Sequence, residues 1–231
     1  FGDQETIECF YYHETYQTTF IGSITKSKQS RIFAVKDLFN QFKSICDFEI
    51  VETISSMASS KPNNLIVGSH YMLYVFQIEP LFNGLMKITQ LQAITTNIIP
   101  KSISFFNQFL ICFGETKYIT TFIENQDNTF SLYENISNIT KIHNGFTWRP
   151  FTAHSCRVFT IDNDHTLTIS SYKFKDDTVT TKVLTRYELE SPVIAFCPVR
   201  DGFALLATQN GSLYALEEYE MGNIALFNKI T

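Results

Sequence analysis

The sequence predicts an all-β protein, and within that class a β-propeller of four-stranded blades. Three observations predict it. A short apolar run closed by a small or turn residue returns about every 46 to 47 residues, which is the period of a propeller blade. The runs are short, rich in Ile, Val, Thr, Phe and Tyr, and bounded by Asn, Asp, Gly and Pro; no long apolar stripe of helical period interrupts them. Finally, a chain that is 44% hydrophobic and 15% aromatic, with 22 Phe and 11 Tyr against 9 Gly and 6 Pro, has the make-up of a packed core and not of a disordered or collagen-like segment. At 231 residues it is long enough to bury one.

The elements follow in order. In residues 1–50 the recurrent run is Thr19-Phe20-Ile21-Gly22-Ser23, followed by a second strand at Ile32-Phe33-Ala34-Val35. Residues 51–97 open with Ile54-Ser55-Ser56-Met57, then carry the run Leu65-Ile66-Val67-Gly68-Ser69 and the strand Leu73-Tyr74-Val75-Phe76-Gln77-Ile78. Residues 98–146 repeat this with Ile103-Ser104-Phe105-Phe106, Leu110-Ile111-Cys112-Phe113-Gly114, Tyr118–Ile123 and a polar outer strand at Phe130-Ser131-Leu132-Tyr133. In residues 147–188 the run is Arg157–Asp162, its partner Leu167–Tyr172 and the outer strand Val179–Val183. Residues 189–231 close with Val193–Phe196, Ala204-Leu205-Leu206-Ala207-Thr208 and Leu213–Leu216. The hairpin connectors Asn163-Asp164 and Asn210-Gly211 are residues that tolerate positive φ. About five blades result, read as part of a larger multi-propeller protein. The large side chains of the runs, Ile66, Val67, Ile111, Phe113, Val158, Phe159, Leu205 and Leu206, are expected between sheets.

A formal charge of −5 is the wrong sign for a broad phosphate-binding face. No apolar run approaches the eighteen or so residues of a membrane-spanning helix. The chain opens Phe1-Gly2-Asp3 without a leader and is read as a piece of something longer. Cys9, Cys46, Cys112, Cys156 and Cys197 stand tens of residues apart, matching neither a zinc site nor a disulfide framework. Cys112 and Cys197 lie in apolar runs and read as small buried hydrophobes, which suits a reducing compartment.

The motif order carries a resemblance. Asn64-Leu65-Ile66-Val67-Gly68-Ser69, then Leu73-Tyr74-Val75-Phe76-Gln77, then Phe106-Asn107-Gln108-Phe109-Leu110, resembles the propeller repeats of the family that contains the large damaged-DNA-binding subunit, the large cleavage-and-polyadenylation specificity factor subunit and their splicing-factor relative. Leu167–Lys173 and Thr208–Ala215 are similar to its following strands. The chain departs from the family pattern at Glu190-Ser191-Pro192 and Pro198-Val199-Arg200-Asp201, and it lacks WD-type histidine and Trp-Asp signatures. The resemblance implies a nuclear, non-catalytic scaffold whose partners are other proteins of a multi-subunit complex: an adaptor of a cullin-based ubiquitin ligase in DNA repair or genome maintenance, or else a scaffold of mRNA polyadenylation or splicing.

Chemistry-bearing clusters are few. Asp162-Asn163-Asp164-His165 gathers two carboxylates and an imidazole but reads as a hairpin turn, since the glycine and distal glutamate of a calcium loop are missing. His143, His154 and His165 read as surface or strand-end residues. Lys26, Lys28 and Arg31 put three positive charges in one hairpin loop, a candidate contact for phosphates or an acidic partner. Trp148 and Arg149 are candidate interface anchors; a Trp packed at the start of a blade explains Trp148 equally well. There is no nucleophile elbow, phosphate loop or close metal spacing. A five-bladed hydrolase would need acids on its innermost strands, and those strands carry few. The expectation is an interaction module with no catalytic residue, cofactor, metal, small-molecule substrate or membrane contact.

Overall fold

In the computed structural model the described residues are 5–38, 41–50, 52–82, 84–138, 140–148, 155–175, 178–200, 202–220 and 223–227, and none of them is helical. They form five antiparallel sheets of four strands each. The first sheet is β1 (Glu5–His13), β2 (Thr18–Thr25), β3 (Ser30–Leu38) and β4 (Gln41–Ile50). The second is β5 (Ile54–Ala58), β6 (Asn64–Ser69), β7 (Met72–Pro80) and β8 (Met86–Thr95). The third is β9 (Ser102–Phe106), β10 (Phe109–Phe113), β11 (Tyr118–Glu124) and β12 (Phe130–Ser137). The fourth is β13 (Ile142–Trp148), β14 (Ser155–Asp162), β15 (Thr166–Lys175) and β16 (Thr178–Glu188). The fifth is β17 (Val193–Arg200), β18 (Phe203–Thr208), β19 (Leu213–Glu220) and β20 (Asn223–Phe227).

Every strand pairs with its sequence neighbours, so each sheet is an up-and-down meander. All five recurrent runs fall on the second strand of a sheet, β2, β6, β10, β14 and β18, as their spacing requires. The fourth sheet opens at Ile142, and residue 147, where a unit was expected to begin, lies inside β13.

The chain divides into two compact units, Phe1–Cys112 with Glu124–Ser131 and Phe113–Ile123 with Leu132–Thr231, the division running through the third sheet. In the first unit, Phe20, Ile32 and Ala34 of the first sheet share one buried cluster with Leu65, Val67, Phe76 and Ile78 of the second. Two glycines 46 residues apart let sheets approach: a Cβ on Gly22 would stand 3.2 Å from Ile54 Cγ2, and one on Gly68 would stand 2.9 Å from Pro100 Cβ. Ser55 and Ser56 fasten the second approach, their hydroxyls donating to the Pro100 carbonyl at 2.6 and 2.7 Å. In the second unit, Phe159, Ile161, Leu167 and Ile169 of the fourth sheet pack with Ala204, Leu206, Tyr214 and Leu216 of the fifth.

Ile66, Val67, Ile111, Phe113, Val158, Phe159 and Leu206 are buried as expected. Leu205 is not: it is half-exposed, because its neighbours Ala204 and Leu206 take the face turned to the fourth sheet. Cys197 corrects its expectation for the same reason. It pairs across the ladder with Leu205, shares that outward face and is exposed, whereas Cys112 and Cys156 are buried.

Candidate functional site

Antiparallel meanders send alternate connectors to opposite ends of a sheet, so the β5–β6 and β7–β8 connectors leave the second sheet at one end. There the first unit has a cleft of 330 Å³ between residues 11–15 and 59–62. Its floor is set by His13, buried at the end of β1 with its ring stacked on Tyr16 at 5.0 Å and edge-on to Tyr11 at 6.1 Å and Phe20 at 6.2 Å. Burial holds the imidazole pKa below the ordinary histidine value. Nε2 lies 3.4 Å from Ser59 Oγ, while Nδ1 is buried without a hydrogen-bond partner.

The Ser59 hydroxyl has one proton, and its nearest acceptor is the Lys61 carbonyl at 2.6 Å. The same hydroxyl stands 3.4 Å from His13 Nε2, so the two groups touch while the serine proton is turned to the backbone.

Asn64 shapes the other wall. Its Oδ1 accepts from the backbone N–H of Ser60 at 3.0 Å and of Lys61 at 3.1 Å, and its Nδ2 donates to Ser60 Oγ at 2.7 Å. Lys61 then reaches the β11–β12 turn, with Nζ 3.1 Å from Glu124 Oε1 and 2.8 Å from Asn128 Oδ1. The rim is consequently braced, with the Tyr12 side chain exposed beside it.

The β7–β8 hairpin projects from the same end, rooted where Ile78 N–H donates to the Asn63 carbonyl at 2.8 Å. Leu81 N–H donates to the Leu85 carbonyl at 2.8 Å and Gly84 N–H to the Leu81 carbonyl at 3.0 Å, with Gly84 at φ +78°. Such a φ favours glycine. The turn holds out Leu81, Phe82 and Leu85, and Phe82 is fully exposed. Other connectors bear Lys26-Ser27-Lys28-Gln29, Gln126-Asp127-Asn128 or Gln209-Asn210-Gly211 at their tips, so this apolar tip stands apart.

The residues singled out from sequence lie elsewhere. Lys26 and Lys28 are exposed on the β2–β3 connector, Lys28 at φ +63°. Arg31 does not complete a basic patch: it is ion-paired to Glu5 at 3.0 Å and to Asp47, with its guanidinium 4.6 Å from the Phe33 ring centroid. Trp148 is 2% exposed and packs on Phe159 with ring centroids 5.4 Å apart, so as an interface anchor it is corrected to a core residue. Arg149 and His154 lie outside the described residues. Asp162 Oδ1 accepts from the N–H groups of Asp164 and Thr166, both at 3.0 Å, and His165 sits at φ +63°, the geometry of a turn. Among the described residues no three His, Cys, Asp or Glu side chains gather as metal ligands.

Sequence reasoning passed over the tip and the cleft. For the tip the signal was present: Asn83-Gly84 is a hairpin dipeptide flanked by Leu81, Phe82 and Leu85, and only its apolar flanks distinguish it from the other turns. The cleft carries no such signal, since it forms from two hairpins about 46 residues apart. No protein-family model matches this chain, and no curated protein matches it either.

Proposed function

We propose that this chain is a non-catalytic protein-interaction scaffold, a set of β-propeller blades from a larger multi-propeller protein. The adaptor of a cullin-based ubiquitin ligase in nuclear genome maintenance is the type its motifs resemble. One observation carries the interaction reading: an apolar hairpin tip, with Leu81, Phe82 and Leu85 exposed to solvent, beside a braced cleft. Exposed aromatic side chains on a fixed framework are the usual anchors of protein interfaces. Against turnover, the Ser59 hydroxyl in the cleft donates to the Lys61 carbonyl, and the nucleic-acid alternative loses Arg31 to its two carboxylates.

Binding of the full chain to a purified cullin, read by co-elution and calorimetry, tests the reading. Phe82→Ser should weaken binding by about tenfold to thirtyfold, a hot-spot loss, while Lys26→Ala with Lys28→Ala should leave it unchanged. No binding to the cullin removes the adaptor reading. Salt-sensitive, sub-micromolar nucleic-acid binding abolished by the two lysine substitutions would replace it with a nucleic-acid reader.

A further inference from the structure

The cleft between residues 11–15 and 59–62 has a polarity that its own hydrogen bonds decide. On the wall formed by residues 59–62 the donors are already engaged. The backbone N–H groups of Ser60 and Lys61 both donate to Asn64 Oδ1, the Ser59 hydroxyl donates to the Lys61 carbonyl, and the Ser60 hydroxyl donates to Glu124 Oε1 at 3.3 Å. Pro62 has no N–H to offer. The Lys61 ammonium is held by Glu124 and Asn128. An anion would therefore meet no ready donor along this wall.

The opposite wall carries charge of the other sign. Glu14 is exposed on the β1–β2 connector and lines the cleft, and among the described residues no cation pairs with its carboxylate. Its field reaches inward, opposing ionisation of the Tyr11 hydroxyl and favouring protonation of His13. Burial outweighs that second effect and keeps the imidazole neutral at neutral pH, so the floor of the cleft does not offset Glu14. With Lys61 matched by Glu124, the mouth retains a negative charge that has no counter-charge.

A volume of 330 Å³ is at the small end of ligand sites, room for one long side chain and too little for a large cofactor. Tyr11 and Pro62 on the lining give an aliphatic stem an apolar surface to lie on. Of the basic side chains, arginine is the better match. Its planar guanidinium pairs with a carboxylate through two parallel hydrogen bonds and is more weakly hydrated than an ammonium.

We infer that the cleft receives an arginine side chain of the partner protein, its guanidinium on the Glu14 carboxylate and its stem against Tyr11 and Pro62. This rests on the interaction reading above and specifies the partner's chemistry: an arginine presented beside an apolar site for the β7–β8 tip, which leaves the same end of the second sheet.

Titration of the isotope-labelled full chain with N-acetyl-arginine methylamide, followed by amide chemical shifts, tests it. Saturable shifts should centre on Glu14, Ser60 and Lys61. The citrulline analogue, which keeps the shape without the charge, should bind about fivefold more weakly, and arginine should lose about the same factor on Glu14→Gln, as expected for one exposed ion pair. An unchanged melting temperature checks that the variant folds. Glu14→Lys, a second variant at the same exposed position, should abolish the shifts, and N-acetyl-glutamate methylamide should produce none with the unaltered chain. Phe82→Ser should bind the arginine probe normally, and the titration needs no cullin, so failure of the cullin contact and failure of this inference are separate results. Equal affinity for arginine and citrulline overturns the inference, as does the absence of saturable shifts at the cleft or arginine binding that survives both Glu14 substitutions.

Discussion

His13 shows how one residue carries a pH dependence that its neighbours build. The ring lies between Tyr11, Tyr16 and Phe20, with Ser59 and the backbone of Lys61 and Asn64 on its polar side. Burial lowers its proton affinity, an effect that Glu14 and the backbone contacts only partly oppose. In the unfolded chain the ordinary value of 6.5 returns. Between that value and the lowered one the unfolded chain takes up a proton that the folded chain refuses. Stability from this residue is therefore complete above pH 6.5 and is lost as the pH falls below it. Melting temperatures of the unaltered chain and of His13→Phe, compared from pH 8 to pH 5, should converge on the acid side; parallel curves would show that His13 stays ordinary. Sequence could not disclose this, because His13 owes its burial to Ser59 and its loop, about 46 residues away. The three histidines weighed from sequence were others.

At the scale of strands, the sequence was most legible where periodicity and turn chemistry agree. Runs such as Leu65–Ser69 and Leu110–Phe113, bounded by Asn64 or Gly114, became second strands with both faces buried. Burial of the last run was misjudged because an apolar run looks the same whether one face is covered or two. Leu205 and Leu206 are chemically identical neighbours, yet β18 turns only Leu206 into the core shared with the fourth sheet. Leu206→Ala should cost about 2–5 kcal/mol, the range for a fully buried leucine. Leu205→Ala should cost clearly less, since β18 leaves that side chain half-exposed. Denaturant melts of the two variants decide it, and equal losses would mean that both side chains are equally buried.

At the scale of the whole molecule, sheets are joined by apolar packing and by polar contacts such as that of Ser56 with the Pro100 carbonyl, and the second unit adds a buried ion pair. Arg157 on β14 places Nη2 2.5 Å and Nε 3.2 Å from Glu218 Oε1 on β19, and its Nη1 donates to Ser171 Oγ at 2.9 Å. The pair is buried, so its charges were stripped of water when the fourth and fifth sheets met. Removing one partner strands the other: Glu218→Ala or Arg157→Ala should cost about 3–5 kcal/mol, whereas replacing both with well-packed apolar residues should cost little. A double-mutant cycle on thermal stability measures the difference, and additive losses would show that the pair is not coupled. Nothing in the sequence paired these residues, which stand 61 positions apart. The candidate site was likewise hidden, since loops of different sheets meet only after the strands have been laid down; the five-sheet architecture was visible because each sheet is written in one continuous stretch.

That continuity has a consequence for how the chain is made. Each sheet finds all its backbone partners among strands adjacent in sequence, and none waits for a distant segment to close its ladder. Loop-closure entropy is therefore met in small instalments, unusual for an all-β chain, and the slow step of pairing remote strands is absent within any sheet. A ribosome releasing this polypeptide frees one complete hydrogen-bonded meander every forty-odd residues, and each new sheet can lay its apolar face on the one before it. The nascent chain is thus never far from burying what it has just exposed, and only the most recent sheet need wait for its cover.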